Sequence, residues 1–389
     1  MRIVEIREAP VRLQADIQNA YVSFADHDVS LVAVITDVVQ DGKPLVGLGF
    51  NSIGRYAQGG LMRERFIRRL LDAEPKSLLD DEGRLFRPEA VLKTLMRNEK
   101  PGGHGDRAGA VAAIEIACWD VNAKRRGVPA HRTIAEHFGR PVAENASVPV
   151  YAAGGYYYPD DSLQRLTDEM KRYADQGYIF FKMKIGGADL ATDLKRIEAA
   201  VAGVPAPGTL AVDANGRFDL RTALAYGSAM APFGLRWYEE AGDPLDYALN
   251  SELAASYAPP LATGENLFSA QDVKNLVLFG GMRPGIDYFQ MDPGLGYGVL
   301  EFGRMVQLIE EHGFDRKQIH PHGGHVIGLH VAIGFDLGGC EAYPGVFQPF
   351  GGYPAGCAVG GGHVAPTSAP GFGIEEKLEL QPHIKELLR

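Results

Sequence analysis

Cysteine is scarce in this chain, since only three of its 389 residues are cysteines and no two of them are spaced as CxxC. This scarcity excludes the dense disulfide framework of small secreted proteins and a zinc site built from paired cysteines. We expect the cysteines to be reduced and buried, and therefore expect a cytoplasmic protein. They are Cys118, Cys340 and Cys357.

Long apolar runs and long basic runs are also missing. No stretch reaches the roughly 18 apolar residues of a membrane span, and the first residues, MRIVEIREAPVRLQ, alternate apolar and charged side chains. We therefore expect neither a membrane span nor a signal peptide. With 49 acidic and 39 basic residues, the net charge is −10. This charge argues against nucleic acid and anionic membranes as partners.

The length of the chain predicts two domains. In residues 1–140, the alternating segments RIVEIREAPVRL and VSLVAVITDVV precede helical segments such as AGAVAAIEIACWDVNAKRRG. Strands followed by helices, without alternation, predict an α+β domain over 1–140. We expect the tail, 366–389, to return to this domain.

Between residues 145 and 365, eight short strand-like segments alternate with helical segments. The strand-like segments are VPVYAAG, YIFFKMKIG, LAVDANG, LRWYEEA, PLATGEN, IDYFQMD, KQIHPHG and DLGGCEAYP. This repetition predicts an α/β fold in which residues 145–365 form a TIM-like (β/α)8 barrel.

From the second onwards, each strand-like segment ends in polar residues. Successive ends from Lys184 to His322 lie 26–30 positions apart, the length of one strand–helix unit. The carboxyl ends of barrel strands form the active-site face, so these side chains are expected to converge there. They are Lys182, Lys184, Asp213, Glu239, Glu265, Asp292, His320, His322 and Glu341.

Three neighbouring strands end in carboxylates, at Asp213, Glu239 and Glu265. Such a cluster needs a cation or raised pKa values because like charges repel. Hard oxygen ligands without cysteine suit Mg²⁺, which is the cofactor we expect. The alternative is that each carboxylate caps the helix that follows it.

The second strand carries Lys182 and Lys184, which are two positions apart and therefore share one face. Neighbouring ammonium groups and a nearby Mg²⁺ are expected to depress the lysine pKa values, so that a neutral lysine can act as a base. The alternative is a solvated pair on an edge strand.

A second acid or base is expected from a histidine near Asp292. A carboxylate that holds one ring nitrogen fixes the tautomer of the imidazole, and His322 lies one strand unit beyond Asp292. The motif HPHGGH contains three histidines, His320, His322 and His325, so the sequence leaves the choice among them open. A zinc site built from these histidines is the rival interpretation, although the HxxxH spacing of a helical zinc site is missing.

Together these residues resemble the mandelate racemase subgroup of the enolase superfamily, and the likeness runs over nearly the whole chain. It implies a modified barrel with an N-terminal capping domain. It also implies that Lys184 is a base, that Lys182 is a catalytic residue beside the substrate carboxylate, that His322 with Asp292 is the opposite acid or base, and that Mg²⁺ is held by the three carboxylates. The resemblance places Glu341 at the substrate, and Arg55, Tyr21, Tyr156 and His104 are further candidate substrate contacts.

The resemblance implies removal of a proton next to a carboxylate, followed by loss of the β-hydroxyl as water. Conversion of D-tartrate to oxaloacetate is the leading expectation for a small hydroxy-diacid or sugar-acid substrate. Another sugar-acid dehydratase, or a hydroxy-acid racemase or epimerase of the same superfamily, is the near alternative. A non-catalytic binding barrel is the remote one. Association of the chain into a homo-oligomer is also expected.

Overall fold

The computed structural model describes residues 1–142, 146–159 and 162–389. The predicted start of the barrel domain, residue 145, lies outside the described residues. Among those described, no helix is long and apolar enough to cross a bilayer.

The N-terminal region begins with a three-stranded antiparallel sheet in the order β1-β2-β3. The strands are β1 (Ile3–Arg12), β2 (Asp28–Gln40) and β3 (Lys43–Phe50). The two strand-like segments identified in the sequence correspond to β1 and β2, whereas β3 was not among them. Its inner residues are apolar and buried, because a long helix covers this face of the sheet.

Five helices follow the sheet. They are α1 (Gly59–Leu61), which continues through the π-helical turn Met62–Phe66 into α2 (Ile67–Leu71), then α3 (Pro88–Leu95), α4 (Asp106–Arg126) and α5 (Ala130–His137). Helix α4 is buried over most of its length and lies between the sheet and the barrel. It ends where Gly127 adopts a left-handed conformation with φ of 68°, which glycine tolerates without a steric penalty.

The barrel is built from parallel strands that neighbour one another in chain order. They are β4 (Val148–Gly154), β5 (Phe180–Lys184), β6 (Leu210–Asp213), β7 (Tyr238–Glu239), β8 (Leu261–Thr263), β9 (Tyr288–Phe289) and β10 (Cys340–Ala342). The helices between them are α6 (Leu163–Asp175), α7 (Leu190–Val201), α8 (Leu220–Met230), α9 (Tyr247–Ser256), α10 (Ala270–Phe279), α11 (Val299–Glu311) and α12 (Val326–Gly334).

The seventh strand expected from KQIHPHG does not form as a regular strand. The segment pairs with β9 through one bridge, Phe289 to Ile319, and the Gly338 and Glu341 amides donate hydrogen bonds to Ile319 and Pro321. Pro321 has no amide hydrogen to give to a ladder, and two glycines follow it. The segment therefore bridges β9 and β10, while β10 pairs with β4 and completes the barrel.

The C-terminal part of the chain adds a hairpin and a helix. The hairpin consists of β11 (Val359–Gly360) and β12 (His363–Val364), and β12 runs antiparallel to β4. Helix α13 (Gln381–Leu387) packs against β1, and Arg7 donates a hydrogen bond to the Leu387 carbonyl. The tail therefore contacts the N-terminal sheet.

Candidate active site

The carboxyl ends of β6, β7 and β8 bring three carboxylates together. Asp213 pairs directly with Glu239 in the parallel register, and Glu265 follows β8. One oxygen from each lies within 4.8 Å of the others, so the group could hold a metal ion. The strand pairing therefore unites residues that are far apart in the sequence.

The carboxylates carry charge that a cation would balance. Burial, the nearby Asp213 and other charges raise the pKa of Glu239 to about 8, although Lys182 opposes this rise. The Glu265 Oε2 atom is buried and accepts no hydrogen bond within the part of the chain that the structure describes. Three converging oxygen donors, one of them unsatisfied, fit a hard divalent cation such as Mg²⁺.

Lys182 forms the centre of a fully buried ion-pair network. Its Nζ atom lies 2.5 Å from Glu239 Oε1, 2.8 Å from Glu341 Oε1 and 3.4 Å from Asp213 Oδ2. Burial alone would lower the pKa of this ammonium, but the carboxylates hold it well above its ordinary value. The carboxylates therefore favour the charged form of Lys182, and its predicted catalytic role beside the substrate carboxylate stays a prediction.

Lys184 forms an ion pair with Asp213, and its ammonium lies 5.3 Å from the centre of the Tyr156 ring. Burial opposes the charged form, yet Asp213 raises the pKa of Lys184 above its ordinary value. Asp213 thus raises the pKa of Lys184 more than the neighbouring Lys182 lowers it, and the depression expected beside a bound Mg²⁺ stays a prediction.

Of the three histidines in HPHGGH, His322 is the one that faces the site. Its Nδ1 atom lies 2.8 Å from Asp292 Oδ2, and its Nε2 atom lies 3.0 Å from the Tyr343 hydroxyl and 3.4 Å from Glu265 Oε2. Burial favours the neutral ring, but Glu265, Glu341 and Asp292 raise the pKa of His322 to about 10. The imidazole is therefore protonated in this arrangement and can donate a proton.

The two remaining histidines have other partners. His320 is buried against the Trp237 and Tyr288 rings, with ring centres 5.9 and 5.0 Å away. His325 accepts a hydrogen bond from the Gly328 amide at the start of α12. Neither lines the site, and no group of three potential ligands among the described residues includes a histidine.

A cavity of about 230 Å³ opens beside these groups. Lys184, Glu265 and His322 contribute to its wall, as do the expected substrate contacts Tyr21, Tyr156 and Arg55. The full wall consists of Asn19, Tyr21, Val22, Phe24, Ile53, Gly54, Arg55, Tyr156, Lys184, Asn215, Glu240, Pro244, Glu265, Asn266, Leu295, His322, Tyr343 and Phe347. Residues of the N-terminal region therefore cover the mouth of the barrel.

Two expected substrate contacts, His104 and Glu341, do not line this cavity. The Nδ1 atom of His104 lies 3.0 Å from the Tyr297 hydroxyl, and the ring lines a separate cavity against the capping helices. Glu341 is held by Lys182 and by a hydrogen bond from the Gly323 amide over 3.0 Å, and it does not line the cavity. Glu341 nevertheless lies next to the catalytic candidates, with Oε2 3.8 Å from His322 Nε2, and the roles of both residues as substrate contacts stay predictions.

Sequence reasoning assigned no site role to five polar residues in the cavity wall, which are Asn19, Asn215, Glu240, Asn266 and Tyr343. Three of them come one or two positions after an expected metal ligand. Asn215 follows Asp213, Glu240 follows Glu239, and Asn266 follows Glu265. Their position just beyond the strand ends was the signal that could have identified them. Tyr343 carries the same signal, since it directly follows β10 and lies two positions after Glu341, although only the closure of the barrel brings it to His322.

The fold and the site together define a capped β/α-barrel with a carboxylate site for a divalent cation. A family model described as Enolase C-terminal domain-like matches residues 165–380, which is more than half of the chain. The chain therefore belongs to this family. Membership of the enolase superfamily, which the sequence predicted, is confirmed.

Three curated relatives are 25–28% identical to this chain over the aligned residues. L-talarate/galactarate dehydratase of Salmonella typhimurium is 27% identical over 308 residues, which cover 79% of this chain and 71% of that protein. The 3,6-anhydro-alpha-L-galactonate cycloisomerase of Streptomyces coelicolor is 28% identical over 361 residues, 88% of each chain. Arabinonate dehydratase of Saccharolobus solfataricus is 25% identical over 272 residues, 69% of this chain and 68% of that protein.

Solved structures share the fold over nearly the whole chain. A racemase from Streptomyces coelicolor A3(2), described with bound magnesium, superposes with a TM-score of 0.78 at 23% identity and covers 99% of both chains. L-talarate/galactarate dehydratase from Salmonella typhimurium LT2 reaches 0.74 at 23% identity, covering 95% of this chain and 87% of that one. These similarities confirm the predicted fold, a modified barrel with an N-terminal capping domain.

Proposed function

We propose that the protein is a Mg²⁺-dependent dehydratase that removes the proton next to a substrate carboxylate and eliminates the β-hydroxyl as water. The observation that carries this proposal is that Lys184 and His322 line one cavity, with Glu265 between them in the barrel order. A base and an acid on opposite sides of a cation site are the groups that such an elimination requires.

Asp213, Glu239 and Glu265 would hold the cation. When bound, Mg²⁺ supplies positive charge beside the substrate carboxylate and stabilises the negative charge that develops as the proton leaves. Asp213 would then share its negative charge between the cation and the Lys184 amine with which it is paired.

The protein's own groups carry the two proton transfers. Lys184 Nζ, in its neutral form, takes the α-proton, and the carbon–hydrogen electron pair forms the new double bond. His322 Nε2 gives its proton to the β-hydroxyl, the carbon–oxygen bond breaks, and water leaves. Asp292 holds Nδ1 and keeps Nε2 directed at the cavity.

Within this reaction class we propose D-tartrate as the substrate and oxaloacetate, formed by tautomerisation of the enol, as the product. The small volume of the cavity and the Arg55 guanidinium in its wall support a short diacid, since guanidinium binds carboxylate in a bidentate manner. The names of the relatives support the broader class of sugar-acid dehydratases. A racemase of the same superfamily remains the alternative, because two opposed acid–base groups also suit proton exchange without loss of hydroxyl.

Two further properties belong to this proposal. The three free and buried cysteines support a reducing compartment such as the cytoplasm. The homo-oligomer expected from the sequence stays a prediction.

A panel of tartrate isomers, galactarate and aldonic acids tests the proposed function. Each compound is incubated with the full chain and Mg²⁺, and keto-acid formation is followed, with malate dehydrogenase and NADH reporting oxaloacetate. We expect turnover of D-tartrate that EDTA abolishes and Mg²⁺ restores. Turnover of a longer sugar acid but not of D-tartrate would overturn the substrate assignment. Proton exchange without formation of any keto acid would favour the racemase.

A pair of lysine variants identifies the base. Lys184→Ala is expected to abolish turnover while calorimetry still detects Mg²⁺ binding. Lys274→Ala, which removes an exposed lysine on α10, is the matched control and is expected to retain full activity. Full activity in Lys184→Ala would remove this lysine from the mechanism.

A further inference from the structure

His322 has a second hydrogen-bond partner that the elimination described above does not use. While Nδ1 contacts Asp292, Nε2 lies 3.0 Å from the Tyr343 hydroxyl. The two side chains belong to the same cavity wall. The phenol and a ligand in the cavity would therefore share the single hydrogen-bonding position of Nε2.

The glycine pair of HPHGGH makes room for this phenol. Gly324 has a φ of +56°, and a Cβ atom there would come within 2.4 Å of the Tyr343 ring. The Tyr343 amide donates a hydrogen bond to the Gly324 carbonyl over 3.3 Å, and the Phe347 ring packs edge-on at 4.8 Å. The ring of Tyr343 is thus fixed by its surroundings, and its hydroxyl is aimed at His322.

The chemistry of the pair follows from the donors and acceptors available. An ionised Asp292 only accepts, so Nδ1 keeps its proton in both charge states of the ring. Nε2 then donates when the imidazole is charged and accepts when it is neutral. A phenol can complement both states, since its oxygen accepts and its O–H donates. Burial raises the pKa of Tyr343 well above its ordinary value, which keeps the O–H in place.

We propose that Tyr343 is a positioning residue for the elimination step, holding His322 Nε2 towards the cavity and stabilising the neutral imidazole after it has given up its proton. The proposal rests on the proposed dehydratase function. In that step the Nε2 proton moves to the β-hydroxyl oxygen, the carbon–oxygen electron pair leaves with water, and Nε2 accepts the Tyr343 O–H hydrogen bond. Lys184, on β5, takes the α-proton without this contact.

The test separates the two steps in the Mg²⁺-loaded full-length enzyme. With D-tartrate in D₂O, proton NMR follows exchange of the α-proton and formation of oxaloacetate in the same sample. In Tyr343→Phe we expect the dehydration kcat to fall about 100-fold, the lower end of general-acid contributions. Exchange of the α-proton is expected to continue at a rate within about twofold of the wild type.

A matched control removes a hydroxyl from another buried tyrosine. Tyr238 lies on β7, and its hydroxyl has no hydrogen-bond partner among the described residues. Tyr238→Phe is expected to leave both rates unchanged. An equal fall of exchange and dehydration in Tyr343→Phe, or no fall in either, overturns the proposal.

An analogue with fluorine in place of the β-hydroxyl gives an independent readout. Fluoride leaves with the carbon–fluorine electron pair and needs no proton from His322. Tyr343→Phe is therefore expected to expel fluoride at nearly the wild-type rate while its dehydration rate is low. Equal loss of both reactions would show that the tyrosine serves a general structural purpose and would overturn the proposal.

A spectroscopic experiment keeps this inference separate from the substrate assignment. If wild-type enzyme leaves D-tartrate unchanged, the proposed function fails, but the contact can still be read from nitrogen-15 NMR of histidine-labelled, Mg²⁺-loaded protein. The His322 signals are assigned with His322→Gln. Tyr343→Phe is expected to shift the Nε2 resonance and Tyr238→Phe to leave it in place, whereas an unmoved resonance in Tyr343→Phe overturns the proposal.

Discussion

The Arg55 guanidinium donates a hydrogen bond to the Asn266 amide oxygen over 2.6 Å, and this contact links the capping domain to the strand end that carries Glu265. The same Asn266 side chain donates from Nδ2 to Glu240 at 3.0 Å and to Glu265 at 3.4 Å. Its single acceptor and its amino group are thus all engaged. An asparagine suits this position because a carboxylate could not donate to two acidic neighbours.

Removal of the Asn266 amide is expected to weaken both cation binding and turnover. In Asn266→Ala, Glu240 and Glu265 lose a shared donor and Arg55 loses its acceptor. Loss of a residue that hydrogen-bonds to a metal ligand typically lowers metal affinity or activity about 10- to 100-fold. We expect calorimetry to show a loss of Mg²⁺ affinity of about that size. Asn275→Ala, on the exposed side of α10, serves as the control. Equal Mg²⁺ affinities in the two variants would disprove the link.

Glu265→Gln tests the carboxylate site directly. The substitution keeps the size of the side chain but removes one negative charge and replaces an oxygen donor with an amide. Because ligand charge controls affinity for hard cations, Mg²⁺ binding measured by calorimetry is expected to weaken more than about tenfold. Glu252→Gln makes the same chemical change on the exposed surface of α9 and is expected to bind as the wild type does. Wild-type affinity in Glu265→Gln would remove this residue from the ligand set.

Acid is expected to destabilise the contact between α5 and α12. His131 Nδ1 lies 3.4 Å from His330 Nδ1, and the latter accepts a hydrogen bond from the His131 amide. Burial, with Arg132 nearby, lowers the pKa of His131 to about 4. Burial followed by the charge of His131 lowers the pKa of His330 well below its ordinary value.

The sign of the pH effect follows from these lowered pKa values. The folded state keeps both rings neutral, while the unfolded chain takes up protons below about pH 6.5. The free energy of unfolding should therefore be fully retained above that pH and fall towards pH 4, by up to about 1.4 kcal/mol per pH unit for each histidine. In urea unfolding, His330→Gln should flatten this decline, and His363→Gln, at an exposed position, should leave it unchanged. Identical slopes in the two variants would count against the prediction.

Gly49 allows α4 to lie directly on β3. A Cβ atom at this position would come within 2.3 Å of the Ala113 carbonyl oxygen and 2.8 Å of the Ala117 amide nitrogen, both of them backbone atoms. We expect Gly49→Ala to lower the free energy of unfolding by about 1–3 kcal/mol or more, as overpacking does. The midpoint of denaturant unfolding measures this loss.

The control for Gly49 is Gly60→Ala, where a Cβ atom would meet nothing within 4 Å. Gly60 lies in the short helix α1, so alanine is expected to leave stability unchanged or raise it slightly. If both variants unfold at the same denaturant concentration, the prediction that Gly49 is required for the close approach of α4 to the sheet is wrong.

The alternation of strands and helices was visible in the sequence because a barrel strand is buried on both sides and a barrel helix on one. The residues at the strand ends could be placed for the same reason, since a repeat of one strand–helix unit returns the chain to the same face of the barrel. The irregular seventh segment was harder to predict. Its apolar residues suit a strand, and only the packing around Pro321 and the glycines shows that it pairs through a single bridge.

The sequence by itself determined that the chain forms a barrel and that the three carboxylates and the two lysines lie at the ends of its strands. The reason is that period and spacing along the chain control which side of a strand a residue occupies. Tertiary structure alone decided that His322 faces the cavity, that His104 and Glu341 do not line it, and that Tyr343 contacts His322. These outcomes depend on side-chain contacts between segments that are distant in the chain, such as Arg55 with Asn266. Local patterns carry no information about such contacts, since they arise only when the cap and the barrel are packed together.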